Sequence, residues 1–410
     1  MMRILWFEVT EPQRYRNGSF VIAGWQDSLE SIVRTENLEL VVAFEDKTGK
    51  LKAKKDGAVT YVPISTKMSL AGRIKSHWSR IPLAEILVKK MPPIIEEYKP
   101  DLIQVFGTEW PFGLISKYTN IPTVVHIQGS MVPYNNAMFP PGYSLFTQIW
   151  YLFPNIKKML KAVLEYKKSK SREYIEREIW KATKYYMGRT EWDRSLVNIM
   201  HKDAAYFHVE EALRPQFTQN EKKWLPTQNK KWTLVSTGCS SFWKGPDVLL
   251  KTANILKNSG VDFEWLVAGN MPPELKMVVE RKEKQRYRDN NVRFLGFIGA
   301  DDLKKLLLSS SCYVHTAYIE NSPNSICEAQ MLGVPIVATN VGGISTLVNG
   351  YDNACLVPAN DPWQMADGIM EICSRQKDLK EASNESVLVR HSPENIKQQL
   401  FACYKQIMGI

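Results

Sequence analysis

Two glutamates, Glu320 and Glu328, flank the stretch of this 410-residue chain that carries the most chemical information. Between them lie Ser322, a residue type that caps helices, and Pro323, a residue type that suits the first helical turn. We therefore predict a helix start here, where free backbone N–H groups and the helix dipole attract an anion such as phosphate. At about 1.5 Å of rise per residue, Glu328 lies about one and a half turns inside that helix. Such a site suits a diphosphate that joins a sugar to a nucleotide.

Two further residues stand where a ligand could be reached. Lys244 lies in a loop between the predicted strand Thr233–Ser236 and a predicted helix, and its ammonium group is a compact charge that suits phosphate. His126 stands near the end of the predicted strand Thr123–Ile127, and the carboxyl ends of parallel strands form the ligand edge of an α/β sheet. The remaining histidines are interpreted as structural: His77, His201, His208, His315 and His391.

The stretch from Glu320 to Gly343 resembles the retaining glycosyltransferases of family 4. The resemblance is carried by the two glutamates with seven residues between them, by the run Gly-Val-Pro-Ile-Val-Ala-Thr at 333–339 and by the following Gly342-Gly343 pair. It implies an α/β fold of GT-B architecture, in which two facing Rossmann-like domains with parallel sheets enclose a deep inter-domain cleft. In that family the first glutamate contacts the transferred sugar and the second holds the ribose, so these roles fall to Glu320 and Glu328. The alternative is a capped helix before a buried strand, with both glutamates solvated.

The same resemblance assigns the other site residues. Glu320, His126 and Lys244 are the implied catalytic residues, with His126 in contact with the donor sugar. Glu109 and Trp110 are expected to line the acceptor cleft. The implied donor-binding residues are Gly18, Gly238, Lys244, Asn270, Phe297, Asn321, Ser322, Pro323, Asn324, Ser325, Ile326 and Glu328. The alternative for Gly18 is a turn that merely starts a helix.

One position departs from the family pattern. Cys239 stands where relatives carry an arginine, so one of two cations for the diphosphate is missing. Arg14 or Arg16 could supply it, or the activity could be weakened. The chain has no Asp-x-Asp pair of the kind that holds Mg²⁺. We therefore predict no metal and no cofactor beyond the co-substrate, a UDP- or GDP-sugar.

Length and composition indicate two domains, because 410 residues exceed what one core usually covers. A polar, proline-containing stretch after His208 predicts the boundary. The expected domains are an N-terminal acceptor-binding Rossmann-like domain at 1–210 and a C-terminal nucleotide-sugar-binding one at 211–389. The apolar spacing near the C-terminus predicts an amphipathic helix, and the resemblance implies that a helix at 390–410 packs back on the first domain.

The net charge of +10 is concentrated in one segment, where aromatic residues from Phe139 to Phe153 precede a lysine-rich helix. Aromatic groups beside basic ones suit an anionic membrane surface. The alternative is a solvated helix whose apolar side packs on the core. No run of about 18 apolar residues predicts a membrane span, and no secretory signal is evident. We expect a cytoplasmic protein, peripheral on the inner face of the cell membrane.

These features predict a retaining hexosyltransferase that moves a sugar to a lipid-linked or oligosaccharide acceptor in bacterial polysaccharide biosynthesis. A nucleotide-sugar epimerase on the same fold is one alternative. A catalytically weak nucleotide-sugar-binding partner subunit is another, and it is favoured only by Cys239. A nucleic-acid partner is not expected, because the positive charge is local and no matching motif accompanies it.

Overall fold

The computed structural model describes residues 2–16, 24–34, 38–219, 222–226, 230–376, 379 and 385–410. The chain divides into two compact units. The first unit contains Met1–Asn135, Leu164–Ala212 and His391–Ile410, and the second contains Asn136–Val163 and Leu213–Arg390. The division at 212/213 lies two residues from the predicted boundary at 210/211. The segment Asn136–Val163 groups with the second unit, whereas the sequence interpretation assigned it to the first.

The sheet of the first unit has eight strands in the order β3-β4-β2-β1-β5-β6-β7-β8. All neighbouring strands are parallel except β3 and β4. The order reverses direction between β1 and β5, and such a switch point opens a crevice at the carboxyl ends of the strands. The strands are β1 Met2–Glu8, β2 Leu38–Asp46, β3 Lys54–Asp56, β4 Val59–Ser65, β5 Leu102–Phe106, β6 Thr123–His126, β7 Tyr185–Gly188 and β8 Ala205–His208.

The sheet of the second unit has six parallel strands in the order β11-β10-β9-β12-β13-β14. Its switch point lies between β9 and β12. This is the strand order of a doubly wound nucleotide-binding sheet. The strands are β9 Trp232–Thr237, β10 Phe263–Ala268, β11 Val292–Gly296, β12 Cys312–His315, β13 Ile336–Thr339 and β14 Ala354–Val357.

Helices cover these sheets, and each unit has its own buried apolar clusters. Helices of the first unit are α1 Gly24–Val33, α2 Leu70–Lys75, α3 Ile81–Tyr98, α4 Met131–Asn136, α7 Glu191–Met200 and α16 Pro393–Met408. Those of the second unit are α5 Leu145–Leu152, α8 Pro215–Thr218, α9 Pro246–Asn258, α10 Pro273–Glu283, α11 Ala300–Leu308, α12 Asn324–Leu332, α13 Ile344–Val348, α14 Pro362–Ser374 and α15 Glu385–Arg390. Helix α6, Ile156–Ala182, contributes residues to both.

The final helix shows how the apolar spacing becomes packing. Ser392 caps α16 by accepting a hydrogen bond from the Asn395 amide. Ile396, Leu400 and Tyr404 are fully buried in the same cluster as the strand residues of β1 and β2. The helix therefore belongs to the core of the first unit, although it follows the second unit in the chain.

Helix α3 continues through two prolines, Pro92 and Pro93, although proline lacks the backbone donor that a helix interior uses. Met91 and Ile94 are buried on the core side, whereas Pro93 is exposed. Tertiary packing of the apolar face therefore outweighs the loss of two backbone donors.

Candidate functional site

The loops that follow β9 and β12 meet at the switch point of the second unit. The Tyr318 amide donates to the Trp243 carbonyl (2.7 Å), and the Thr316 hydroxyl donates to the Lys244 carbonyl (3.0 Å). Gly245 has φ of +68°, and a Cβ there would lie 1.8 Å from the Thr316 carbonyl oxygen. The glycine therefore lets the two loops approach closely enough to share one site.

This approach brings Lys244 and Glu320 into an ion pair, although 76 positions separate them in the chain. The Glu320 carboxylate is 8% exposed. His315, interpreted from the sequence as structural, lies beside the pair with its Nε2 atom 3.8 Å from Glu320 Oε2. Burial lowers the pKa of His315 to about 4; the Glu320 carboxylate raises that pKa, and the Lys244 ammonium lowers it. His315 is therefore neutral at physiological pH.

The loop that carries Glu320 rests on the two glycines after β13. Gly342 has φ of +54°, and a Cβ there would lie 1.7 Å from the Glu320 carbonyl oxygen. The Gly343 amide donates to the Glu320 carbonyl (3.2 Å) and to the Asn321 carbonyl (3.0 Å). The Gly342-Gly343 pair, noted in the sequence as part of a resemblance, thus has a physical role in supporting this loop.

Glu328, on α12, is engaged by Arg214, which the sequence interpretation did not single out. Arg214 Nε lies 2.7 Å from Oε1 of Glu328, and Nη2 lies 2.7 Å from Oε2, so the guanidinium forms a two-pronged fork. Glu328 is 3% exposed. A fork of this kind fixes a carboxylate's orientation as well as its charge.

The start of α12 differs by one residue from the prediction. Pro323, not Ser322, occupies the N-cap, and no side chain caps the helix. The Ser325 hydroxyl instead bonds the Tyr313 hydroxyl (2.8 Å). Among the other predicted donor-binding residues here, Asn321 and Ile326 are buried, whereas Ser322 and Asn324 are partly exposed. Proline has no side-chain oxygen that could accept from a backbone amide, so the N-cap residue itself supplies no side-chain cap.

Three other predicted donor-binding residues lie at the carboxyl ends of adjacent strands. The Gly238 amide donates to the Ala268 carbonyl (2.8 Å), and Asn270 and Phe297 follow β10 and β11. Asn270 is exposed, and Phe297 is 48% exposed. All three therefore share the sheet edge that also holds Lys244 and Glu320.

Cys239 supplies no cation at the position where the resemblance implies an arginine. Its side chain is buried in the apolar cluster of the second unit. Burial raises the pKa of the Cys239 thiol to about 12, although the Lys244 charge lowers it. The side chain is therefore a neutral thiol that packs in the core.

In the first unit, His126 ends β6 and is fully buried. Its ring packs edge-on against Trp25 and stacks with Phe106. Burial, followed by the Arg189 charge, lowers the pKa of His126 to about 3. Within the described parts of the chain, neither ring nitrogen has a hydrogen-bond partner. A neutral imidazole without a partner is placed as a ligand-contacting residue would be, at the carboxyl edge of the sheet.

Glu109 and Trp110 follow β5 at the same edge. Gly107 turns the chain with φ of +84°, and a Cβ there would lie 2.6 Å from Glu109 Oε2, so the carboxyl group folds over the glycine. Burial raises the pKa of Glu109 to about 7. The Gly107 amide donates to the His126 carbonyl (2.8 Å), which places this loop beside His126.

The remaining residues of interest are Gly18 and the two arginines near it in the chain. Gly18 lies outside the described residues. Arg16 forms a fork with Asp27 (2.7 and 2.8 Å), and Arg14 pairs with Asp56 (2.5 Å). Both arginines are thus neutralised within the first unit. In the described residues, no group of three or more His, Cys, Asp or Glu side chains is arranged to hold a metal ion.

The comparisons with known proteins point to the second unit. A sequence model of the family "Glycosyl transferases group 1" matches residues 217–386, a range that contains Lys244, Glu320 and Glu328. These residues are similar to a group 1 glycosyltransferase domain. Arg214 lies three residues before the matched range.

The curated relatives are distant. The chain is 27% identical over 180 residues to 2-deoxystreptamine N-acetyl-D-glucosaminyltransferase of Niallia circulans, covering 42% of this chain and 43% of that protein. It is 26% identical over 186 residues to a putative colanic acid biosynthesis glycosyltransferase of Salmonella typhimurium, covering 42% and 45%. With the D-inositol 3-phosphate glycosyltransferase of Paenarthrobacter aurescens it shares 24% identity, covering 38% and 39%. The chain thus spans less than half the length of each of these relatives.

Solved structures match the whole chain in fold. Sucrose-phosphate synthase from Thermosynechococcus elongatus is 14% identical with a TM-score of 0.71, and the match covers 100% of both chains. Anabaena HepE in complex with UDP and glucose is 15% identical with a TM-score of 0.62, covering 99% of this chain and all of that one. These neighbours are GT-B glycosyltransferases. The predicted α/β fold with two parallel-sheet Rossmann-like domains is confirmed.

Three residues at these sites escaped the sequence interpretation. Arg214 precedes a proline in a stretch interpreted as a linker, so no local signal marked it. His315 ends a buried strand just before the Glu320 loop, and the strand-end rule applied to His126 would have found it. Gly107 stands directly after β5, where a glycine signals a turn or a close approach.

Proposed function

We propose that this chain is a retaining glycosyltransferase that moves a sugar from a UDP- or GDP-sugar to a lipid-linked or oligosaccharide acceptor, without a metal ion. The observation that carries the proposal is the Lys244–Glu320 pair at the switch point of a doubly wound sheet, beside the start of α12. The group 1 match over the same unit supports it. Among the relatives, one is named for colanic acid biosynthesis, which supports a role in bacterial polysaccharide assembly.

In the proposed reaction, the bond between the anomeric carbon and the diphosphate oxygen breaks, and the acceptor oxygen bonds the same face of the sugar. The acceptor hydroxyl loses its proton to the departing diphosphate. Lys244 and the first turn of α12 stabilise the negative charge that the diphosphate gains, which is the main catalytic effect expected of preorganised donors. Glu320 orients the sugar, and Glu328, held by Arg214, accepts hydrogen bonds from the ribose. His126 keeps the donor-sugar role that the family resemblance implies.

The test is sugar release and transfer across a panel of UDP-, GDP- and ADP-sugars, with EDTA present and absent. We expect turnover that EDTA leaves unchanged and product that keeps the donor's anomeric configuration. Glu320→Gln should lower kcat by about 100-fold or more. Glu371→Gln is the matched control, because that glutamate is exposed and pairs with Arg375, the residue that ends its own helix. Equal activity of Glu320→Gln and wild type would sink the site assignment.

The two alternatives receive no specific support. The relatives reported above are named as transferases, and an epimerase would need no acceptor. A weak partner subunit remains the interpretation to adopt if every donor in the panel binds and none is turned over. Binding without turnover would then be traced to Cys239 by testing whether Cys239→Arg restores activity.

We also propose that the second unit binds an anionic membrane surface through an exposed apolar patch formed by Phe146, Trp150, Phe153, Ile156 and Leu160. These side chains are 57–75% exposed. The opposite side of the same segment is buried: Leu152 and Tyr143 belong to the apolar core. The buried face fits the interpretation in which the apolar side packs on the core, and the exposed face supports the membrane proposal.

Basic residues border the exposed apolar patch. Lys157 and Lys161 are exposed on α6. A groove of about 690 Å³ along α10 adjoins it and is lined by residues that include Lys276, Lys284 and Arg286. Arg281, in the same groove, donates to the Tyr151 carbonyl (2.7 Å) and so ties α10 to α5. Apolar side chains that enter a bilayer beside cations that meet anionic lipid headgroups are the usual elements of peripheral binding. No described helix is long and apolar enough to cross a membrane.

Vesicle co-sedimentation tests this surface. The double variant Trp150→Ser/Phe153→Ser should lose binding to vesicles that contain anionic lipid. Trp363→Ser is the control, because Trp363 is 72% exposed elsewhere on the second unit. Point variants are preferable to deletion of the segment, since deletion would also remove Tyr143 and Leu152 from the core. Unchanged binding of the double variant would refute the membrane proposal.

A further inference from the structure

Two arginines of the first unit face the same aromatic ring. The Arg80 guanidinium lies 5.4 Å from the centroid of the Trp110 ring, and that of Arg172 lies 4.8 Å from it. The two come from distant parts of the chain: Arg80 occupies the N-cap position of α3 and Arg172 lies on α6. The Arg80 amide donates to the Ser171 hydroxyl (2.8 Å), which holds the two elements together.

Neither guanidinium has a carboxylate partner among the described residues, whereas most other half-buried arginines do. Arg16, Arg34 and Arg214 each form an ion pair. Arg172 Nε donates to the Glu109 carbonyl oxygen (3.4 Å) and to no carboxylate of the described residues. Arg80 Nε is buried and, in the part of the chain that the structure describes, has no hydrogen-bond partner. A partly buried guanidinium without an anion keeps part of its desolvation cost, so an anion from outside the chain is the missing element.

The acidic groups near this cluster do not supply that anion. Among the acidic groups, Glu109 has the largest electrostatic effect on the pKa of Arg172. Burial raises the pKa of Glu109 to about 7, so its carboxyl group is only partly ionised at neutral pH. Glu176 is occupied: its carboxylate accepts hydrogen bonds from the Thr108 and Ser130 hydroxyls and from two backbone amides of α4. Burial lowers the pKa of Arg172, with Arg80 acting in the same direction. The cluster therefore carries an excess of positive charge.

We infer that Arg80, Trp110 and Arg172 form a binding subsite for an oxyanion, a phosphate or a carboxylate, carried by the acceptor substrate. The guanidiniums bind the oxyanion by paired N–H donors, and the Trp110 ring supplies a flat surface for a sugar. The subsite lies at the carboxyl edge of β5, beside the loop that contacts His126. The inference rests on the proposed function and narrows its acceptor to an acidic one.

The reaction test compares matched acceptors with one donor: glucose, glucose 6-phosphate and glucuronate, and also glycerol and glycerol 3-phosphate. We expect wild type to prefer an anionic member of each set by about 10-fold or more in kcat/KM. Comparing the phosphate with the carboxylate acceptors identifies which oxyanion the subsite binds. Arg80→Gln and Arg172→Gln should each reduce that preference by about 10-fold. Arg194→Gln is the matched control, because Arg194 is exposed and pairs with Glu191 on its own helix.

A direct binding test keeps the inference falsifiable if no acceptor in the panel is used. Phenyl phosphate and benzoate are titrated into the Lys244→Met protein, which lacks the phosphate cation of the second unit, with benzyl alcohol as the neutral reference. Saturation-transfer NMR should detect the anions and lose them in Arg172→Gln, while Trp110→Phe retains partial binding. Absence of binding in the parent protein, or equal binding in Arg172→Gln, would overturn the inference. Anion binding without any sugar turnover would instead count against the proposed function alone.

Discussion

The carboxyl edges of the two sheets differ in whether their cationic side chains are paired with carboxylates. In the second unit, the cations of the candidate site each meet a carboxylate of the same unit: Lys244 pairs with Glu320, and Arg214 with Glu328. In the first unit, Arg80 and Arg172 meet an aromatic ring instead. A site whose charges are already paired holds its side chains in fixed orientations and can bind hydroxyl groups and phosphate at once. A site with unpaired cations gains a large binding free energy when an anion binds.

The same contrast decides what a substitution does. Removing one partner of an internal pair leaves the other charge uncompensated, which costs more than the pair itself contributes. Removing an unpaired cation relieves repulsion in the free protein and weakens only the complex. Variants in the second unit should therefore change stability and activity together, whereas those at Arg80 and Arg172 should change mainly acceptor binding.

The largest effect is expected when the internal pair of the second unit is broken. Lys244→Met should lower kcat by about 100- to 1,000-fold, because the leaving diphosphate loses its cation, and should also destabilise the protein by leaving Glu320 alone. The double variant Lys244→Met/Glu320→Gln should recover part of the stability, giving a coupling of about 1–3 kcal/mol in a double-mutant cycle of urea unfolding. Lys305→Met serves as the control, since Lys305 is exposed. Strict additivity would show that the two residues do not interact.

The backbone support of Glu320 gives the next largest effect. Gly342→Ala should cost about 3 kcal/mol of unfolding free energy, because its Cβ would lie 1.7 Å from the Glu320 carbonyl oxygen. Gly350→Ala is the matched control: it also has a positive φ, +75°, but its Cβ meets no atom within 4 Å, so about 1 kcal/mol is expected. Thermal or urea denaturation measures both. Equal losses would mean that the close approach beneath Glu320 does not matter.

A smaller effect is expected at the fork on Glu328. Arg214→Lys keeps the charge but cannot bind both carboxylate oxygens in the same plane, so the KM for the donor should rise about 10-fold. The conservative control is Arg375→Lys, at an exposed pair on one helix. Donor titrations at saturating acceptor measure the change. An unchanged donor KM in Arg214→Lys would contradict the assignment of Glu328 to nucleotide binding.

The smallest effect concerns the first unit and sharpens the contrast in charge. The pKa of Glu109 is about 7 in the folded protein against an ordinary value of 4.5. Between these values the folded state binds more protons than the unfolded chain, so the Glu109 contribution to stability is present below pH 4.5 and falls as pH rises towards 7. Glu109→Gln should remove this part of the pH dependence. Urea unfolding between pH 4.5 and 8 measures the free energy of unfolding of Glu109→Gln and of wild type. Subtracting one pH profile from the other cancels the contribution of Asp193, whose pKa burial raises to about 7. Parallel pH profiles would contradict the assignment.

Local signals located most of the secondary structure. Strand β5, Leu102–Phe106, follows from its local sequence, because a short apolar run with turn residues on both sides has few alternatives. The hairpin of β3 and β4 at the sheet edge also lies in a short, turn-rich stretch. Local propensity alone does not predict that α3 continues through Pro92 and Pro93, because propensity does not include the packing of α3 on the sheet.

At the sites, the sequence was informative where one segment contains the whole signal. The helix start after Glu320 and the glycines after β13 lie in one short stretch, so their proximity follows from the chain itself. The position of Lys244 against Glu320 needed the strand order, which brings the end of β9 beside the end of β12. Arg214 needed it as well, since nothing near residue 214 in the sequence points to Glu328.

The sequence by itself determined the alternation of strands and helices, the helix start at residues 320–328 and the family resemblance, because these depend on residues close together in the chain. Only the tertiary structure decided which charges are paired and which are not. Ion pairing depends on distances of a few ångströms between residues up to 114 positions apart, and such distances are set by sheet order and by glycines that let backbones touch.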